Sequence, residues 1–229
     1  AEHPEIATCY HNMGSDFKGL AVYDSSLFYA TKALQIDLKY YGEIHSKTAS
    51  SYGNIGTLYT NMGEYRKALS YLLRENAILL QTTGESSYEI SGNYNNISNV
   101  YLYLEEYDSA LVYTNKALAI WSQLLGEDHP NIAVALNNLA EIHNAKGNYT
   151  KALEELQKAL TIEISTYGEQ HPNVAGTYHN LGCTYRNLGQ TDKAMEYLQK
   201  ALAIRKQVNG EDHPTTKETQ AAIDTLTKK

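Results

Sequence analysis

Apolar residues along this chain step by three and four. Ile6, Tyr10, Met13 and Phe17 form one such stripe, and Ile132, Leu136, Leu139 and His143 form another. That spacing returns one side chain per turn to the same face and predicts amphipathic helices. A second kind of segment is denser, as in Tyr149, Ala152, Leu153, Leu156, Ala159 and Leu160, and predicts a partner helix. Short stretches such as NMGEY, AKGNY and NLGQT separate the two kinds, with a glycine able to take the positive φ of a helix C-cap.

The alternation has a fixed period. Gly42, Gly84, Gly126, Gly168 and Gly210 are spaced by 42 residues, and EIHS, EDHP, EQHP and EDHP follow four of them, with AEHP at the start and ESSY as the exception. Proline after histidine fits the first turn of a helix, where its missing N–H costs nothing. The tyrosines keep the register: Tyr10, Tyr52, Tyr94 and Tyr178 early in first helices, Tyr59, Tyr101 and Tyr185 further along, and Tyr29, Tyr71, Tyr113 and Tyr197 in second helices. Helix pairs repeated at one period cannot bury their apolar faces singly and must stack. The expectation is one all-α solenoid of repeats 1–42, 43–84, 85–126, 127–168 and 169–210 with a capping helix over 211–229.

These motifs resemble tetratricopeptide repeats in the long form found in kinesin light chains. The resemblance rests on GEYRKAL at 63–69, GNYTKAL at 147–153, and the first-helix strings NIGTLY, NLAEIH and NLGCTY. Ala68, Ala110, Ala152 and Ala194, with Ala33, Ala117, Ala159 and Ala201, match the small residues at which that family packs its helices closely. Glu75 replaces one of them, and Ala21 and Ser26 replace a turn glycine and another alanine, so looser packing is expected at those places. The resemblance implies a right-handed α/α superhelix whose first helices line a concave groove that takes extended peptides.

Against that background one polar residue stands out. Asn12, Asn54, Asn96, Asn138 and Asn180 recur in every full repeat, and Ala222 replaces them in the last helix. Each asparagine costs a helix roughly 0.6 kcal/mol relative to alanine. Their stripes are small and polar, as in Gly92, Asn96, Asn99 and Tyr103, and the resemblance puts that side toward the groove. A primary amide offers a donor and an acceptor, matching what a peptide backbone presents. The other reading is internal: each amide bonds a neighbouring repeat and holds the stacking geometry. Beside the ladder lie His11, Asn95, Asn137 and His179, and Lys18 and Arg186 are the basic residues nearby.

Composition narrows the chemistry. The net charge of -7 argues against a phosphate-backbone binder, so nucleic acid is not an expected partner. No apolar run is long enough for a membrane helix, and the chain is expected to be cytoplasmic. The repeated histidines His3, His45, His129, His171 and His213 lie on different repeats, too far apart for one metal ion, and read instead as helix caps. His179 and Cys183 are four apart on one helix without an evident orienting acid, and no phosphate loop or HExxH pair occurs, so no catalytic residue, metal or cofactor is expected.

The expected function is therefore non-catalytic: a protein-interaction module or scaffold that binds an extended peptide at Asn12, Asn54, Asn96, Asn138 and Asn180, helped by Asn95, Asn137, Asn99, His179 and Arg186. A second expectation is a regulatory, sensor or self-assembling array within a larger signalling protein. It is motivated by a first residue, Ala1, that is not methionine, which suggests neighbouring domains. RNA binding by helical repeats is a third reading, weakened by the acidic charge.

Overall fold

The computed structural model describes residues 3–227 as eleven α-helices. First helices of the repeats are α1 (Pro4–Gly19), α3 (Ser46–Asn61), α5 (Tyr88–Tyr103), α7 (Pro130–Ala145) and α9 (Pro172–Asn187). Second helices are α2 (Tyr23–Tyr41), α4 (Tyr65–Thr82), α6 (Tyr107–Leu125), α8 (Tyr149–Tyr167) and α10 (Thr191–Asn209), and α11 (Pro214–Thr227) follows them. The helices fall into two compact units that divide within α6, after Ile120. No helix among the described residues is long and apolar enough to cross a membrane.

Histidine starts most repeats. His3, His45, His129 and His171 are N-caps in extended backbone, and Nδ1 of each accepts the N–H of Glu5, Lys47, Asn131 and Asn173. That satisfies one of the four amides a helix start leaves unpaired. His213 does the same for the Thr215 N–H at 3.3 Å. In the exceptional ESSY stretch, Ser87 caps α5 through its hydroxyl, accepting from the Ile90 N–H at 3.2 Å.

The turn within each pair needs left-handed backbone at one position. Gly63, Gly147 and Gly189 take it at φ between +74° and +76°, whereas Ala21 and Glu105 stand at the same register with φ +57° and +59°. A residue with a Cβ pays roughly 1–2 kcal/mol for that conformation. Ser26, by contrast, fits closely: its buried hydroxyl donates to the Gly14 carbonyl at 2.6 Å, so the looser packing expected there is not observed.

Aromatic trios hold α1 to α2, α3 to α4 and α9 to α10. Tyr52 and Tyr59 of α3 flank Tyr71 of α4 at centroid distances of 6.0 and 5.4 Å. Tyr178 and Tyr185 flank Tyr197 at 5.9 and 5.5 Å, and Tyr10 and Phe17 flank Tyr29 at 5.9 and 5.5 Å. Tyr94 and Tyr101 flank Tyr113 in the same way. Several trios carry a basic side chain over a ring face, as Lys200 does 5.3 Å from the centre of Tyr197. Such trios add packing area and quadrupole attraction while leaving phenol oxygens at the edge. The fourth repeat has Leu136, His143 and Glu155 at these positions instead.

Within each unit, a second helix packs on the first helix of the next pair: α2 on α3, α4 on α5, α8 on α9 and α10 on α11. Ala68 and Leu72 of α4 meet Ile97 and Val100 of α5, and Leu198 of α10 meets Ala222 and Ile223 of α11. These side chains are almost fully buried.

Candidate functional site

The five asparagines occupy equivalent places on α1, α3, α5, α7 and α9. Asn12 and Asn54 are exposed, and Asn96, Asn138 and Asn180 are half-buried. Asn54 and Asn180 reach back to the preceding repeat. Asn54 Nδ2 lies 3.5 Å from His11 Nδ1, and Asn180 Nδ2 donates to Asn137 Oδ1 at 3.4 Å. The partner is in both cases the residue beside the preceding rung, 43 positions earlier. Asn95 and Asn99 are half-buried on α5, and both take part in polar or ring interactions.

The residues beside the rungs have a further role that spacing alone did not reveal. His11, Asn137 and His179 each join a buried polar node at the junction of three helices. In the first unit, Asp37 Oδ2 of α2 accepts from Ser51 Oγ of α3 at 2.5 Å and lies 3.1 Å from His11 Nε2 of α1. In the second unit, Glu163 of α8 accepts from Asn137 of α7 at 3.2 Å and from Thr177 of α9 at 2.7 Å, and Asn137 and Thr177 bond each other. Burial pushes the Glu163 carboxyl up, and the Thr177 and Asn137 bonds pull it down. At the next junction, Arg205 of α10 donates to Thr219 of α11 at 2.5 Å, and Thr219 lies 3.3 Å from His179 Nδ1. Arg205 also donates to the Thr215 carbonyl at 2.8 Å. Asp37, Glu163 and Arg205 share one register, as do Ser51, Thr177 and Thr219. A buried charge needs such partners, because desolvation otherwise costs several kcal/mol.

The first node contains serine, histidine and aspartate, yet its geometry is not that of a nucleophilic triad. Ser51 and Asp37 both face His11 Nε2, and Ser51 bonds Asp37 directly. A triad needs the acid on one ring nitrogen and the nucleophile on the other. Ser51 is also fully buried.

The junction of α3, α4 and α5 varies the theme. Gly53 stands where the other first helices carry histidine or asparagine, and Leu79 stands where Asp37 and Glu163 do. The acid comes from Glu75 instead, whose carboxyl fills the space beside Gly53 and accepts from Asn93 Nδ2 at 2.8 Å. Asn93 also donates to the Leu72 carbonyl and accepts from Asn76. Burial pushes the Glu75 carboxyl up to about 7, against the Asn93 bond. The looser packing expected at Glu75 is thus replaced by an occupied polar site.

His179 and Cys183 do come together, with Nε2 and Sγ 3.6 Å apart. Burial holds the imidazole down and the thiol up, so both groups are neutral near pH 7. The nearby charge of Arg186, half-buried on α9, adds to the lowering of the imidazole and opposes the rise of the thiol without reversing it. Glu218, absent from the sequence expectations, lies 3.8 Å from the same Nε2 that faces the thiol and does not orient the ring from behind. The pair lacks the arrangement of an activated nucleophile.

A cleft of about 50 Å³ opens in the first unit beside the ladder, lined by His11, Ser15 and Lys18 of α1, Ala30 of α2, and Asn54 and Leu58 of α3. It joins a rung to an ammonium group and a ring nitrogen over a small apolar floor. Lys18 is one of the two basic residues that the sequence places beside the ladder.

Comparison with known proteins agrees with this architecture. A family model described as tetratricopeptide repeat matches residues 5–78, 89–162 and 131–207. Among solved structures, nearly identical TPR-like repeats from Podosopora anserina, described as those of a kinesin light chain, are 20% identical with a TM-score of 0.75, covering 91% of this chain and 99% of theirs. BtubC (BKLC) from P. vanneervenii is 21% identical with a TM-score of 0.76, covering 92% and 84%. The APC/C hetero-tetramer Cut9–Hcn1 contains a chain 19% identical with a TM-score of 0.74, covering 99% of this chain and 37% of that one. No curated protein sequence matches. With the family model spanning most of the chain and the helix pairs repeating in its register, this protein belongs to the tetratricopeptide repeat family.

Proposed function

We propose that the chain is a non-catalytic interaction module that holds an extended polypeptide against the asparagine rungs of its first helices. Tetratricopeptide repeats in general mediate protein–protein interaction or scaffolding, which supplies the coarse assignment. The finer one rests chiefly on the first-unit cleft, where Asn54, His11, Ser15 and Lys18 converge on accessible space. Asn54 offers a peptide amide both hydrogen-bonding roles, and Lys18 favours an acidic residue or a backbone carbonyl. Asn12, Asn96, Asn138 and Asn180 repeat the offer at one residue per repeat, with Asn95, Asn99 and Arg186 beside them. Asn137 and His179 act from behind, as members of the nodes.

The bonds from Asn54 to His11 and from Asn180 to Asn137 favour a second reading, in which the rungs bind one repeat to the next. One experiment separates the two. Partners captured by the chain are eluted and titrated against the wild type and against Asn96→Ala with Asn138→Ala. Weaker binding at an unchanged melting temperature supports peptide recognition. Unchanged affinity with a lowered melting temperature assigns the ladder to stacking alone.

A further inference from the structure

Buried acids set which way the rungs Asn54 and Asn180 point. In the first unit, the Asp37 oxygen that accepts from Ser51 also faces His11 Nε2 at 3.1 Å. A carboxylate only accepts, so Nε2 carries the ring hydrogen, and in the neutral imidazole that leaves Nδ1 as an acceptor. Asn54 meets this Nδ1 at 3.5 Å and therefore turns its Nδ2 toward it. The second unit reaches the same result with different groups. Asn137 gives its Nδ2 hydrogens to Glu163 Oε1 at 3.2 Å and to the Ala133 carbonyl at 3.1 Å, both acceptors, which leaves its Oδ1 for Asn180 Nδ2 at 3.4 Å. Each of these rungs points its nitrogen at the preceding repeat and its oxygen away from it. Where the buried charge is instead the cation Arg205, at the junction of α10 and α11, the rung position holds Ala222.

We infer that these oriented amides fix the direction of a bound polypeptide, which runs along the rungs of each unit from the later repeat toward the earlier one. The inference rests on peptide recognition by the rungs and adds its polarity. An extended residue presents its N–H and C=O on one side, with the carbonyl nearer the C-terminus of its chain. A primary amide that bonds both takes the N–H on Oδ1 and gives the Nδ2 hydrogen cis to Oδ1 to the C=O, while the other Nδ2 hydrogen stays on His11 or Asn137. The peptide carbonyl then lies on the Nδ2 side, toward the preceding repeat, and the peptide's C-terminus lies in the same direction. The opposite direction sets donor against donor and acceptor against acceptor. Flipping the rung to suit it would turn Oδ1 onto the acceptor of His11 or Asn137, leaving that acceptor unsatisfied. Asp37 and Glu163 are thus positioning residues, acting on the peptide through His11, Asn137 and the rungs.

The probe is a linear peptide selected on the full chain from a displayed random library, carrying a nitroxide at its N-terminus or its C-terminus. In NMR spectra of the complex, a peptide on the first unit is expected to broaden backbone amides of α5 from its N-terminal label and those of α1 from its C-terminal label. A peptide on the second unit should broaden α9 and α7 in the same order. The reverse order, with affinity still lost in Asn54→Ala or Asn180→Ala, overturns the direction while peptide recognition by the rungs stands. Affinity unchanged in both variants overturns that recognition and the direction with it. A second measurement needs no peptide: long-range nitrogen–proton spectra of the free chain should place the His11 hydrogen on Nε2, and a hydrogen on Nδ1 overturns the proposal. His11→Asn puts the second unit's acceptor in the first and should leave the affinity of a first-unit peptide within about twofold, whereas His11→Lys, a donor there, should weaken it at least about tenfold with circular dichroism unchanged. Equal losses in the two variants overturn the proposal.

Discussion

Gly53 and Glu75 are complementary: a Cβ placed on Gly53 would overlap the Glu75 carboxyl, so the missing side chain on α3 is the space the acid on α4 occupies. Neither residue fits the repeat pattern alone, and together they restore a filled junction. Gly53→Asn should therefore cost about 1–3 kcal/mol as an overpacked core. Combined with Glu75→Ala it should cost less than the sum of the single changes, and denaturant melts of the four proteins in a double-mutant cycle measure that coupling.

The same acid makes stability depend on pH. Its folded pKa of about 7 lies above the unfolded carboxylate value, so the folded chain holds the proton more tightly. The associated stability is fully present below the unfolded value and is lost as pH rises through about 7. Glu75→Gln keeps an acceptor for Asn93 without a charge. Its melting temperature should exceed that of the wild type at pH 8, with the difference shrinking toward pH 5.

Ala21 and Glu105 hold a left-handed conformation that glycine takes freely at the same register. Ala21→Gly and Glu105→Gly should each stabilise the chain by roughly 0.5–1 kcal/mol, the relief of strain exceeding the entropy glycine adds to the unfolded state. Thermal melts of each variant and of the pair would show the gain and its additivity.

Removing Thr177 Oγ1 takes a donor from a carboxylate that burial already disfavours. Thr177→Val should cost about 1–3 kcal/mol and raise the Glu163 pKa further, so the loss grows with pH. Melting curves at pH 5 and pH 8 give the sign.

The two thiols should react at different rates. Cys9 is exposed, whereas Cys183 is half-buried and its thiol is pushed up by burial. A disulfide reagent at pH 8 should modify one equivalent quickly and the second slowly, and Cys9→Ser should remove the fast phase.

The helix pairs, their turns and the histidine caps were readable because each obeys a local rule that repeats at one period. His129 precedes proline and Asn131, and the cap needs nothing beyond its own turn. The nodes were not readable in the same way. Asp37, Glu163 and Arg205 look like surface charges on amphipathic helices, and their burial follows only when three helices meet. A signal was nonetheless present: polar residues at 51, 177 and 219 occupy the register that holds alanine at 135. Asn137 was legible as a polar neighbour of the ladder, whereas its bonds to Glu163 and Thr177 became visible only in the folded junction.

The nodes also bear on how the chain finds its order during folding. A single hydrophobic register makes every second helix sterically acceptable to every first helix, which invites stacking out of sequence. The polar partners differ at each described junction: aspartate with serine and histidine, glutamate with a doubly bonded asparagine beside a glycine, glutamate with threonine and asparagine, and arginine with threonine and a backbone carbonyl. Setting α2 or α10 against α7 would bring Asp37 or Arg205 to Ala135, which has no side-chain donor or acceptor to replace Ser51 or Thr219. Each mismatch strands a desolvated charge at a cost of several kcal/mol. The buried polar residues thus act as addresses, giving otherwise interchangeable repeats a single permitted succession.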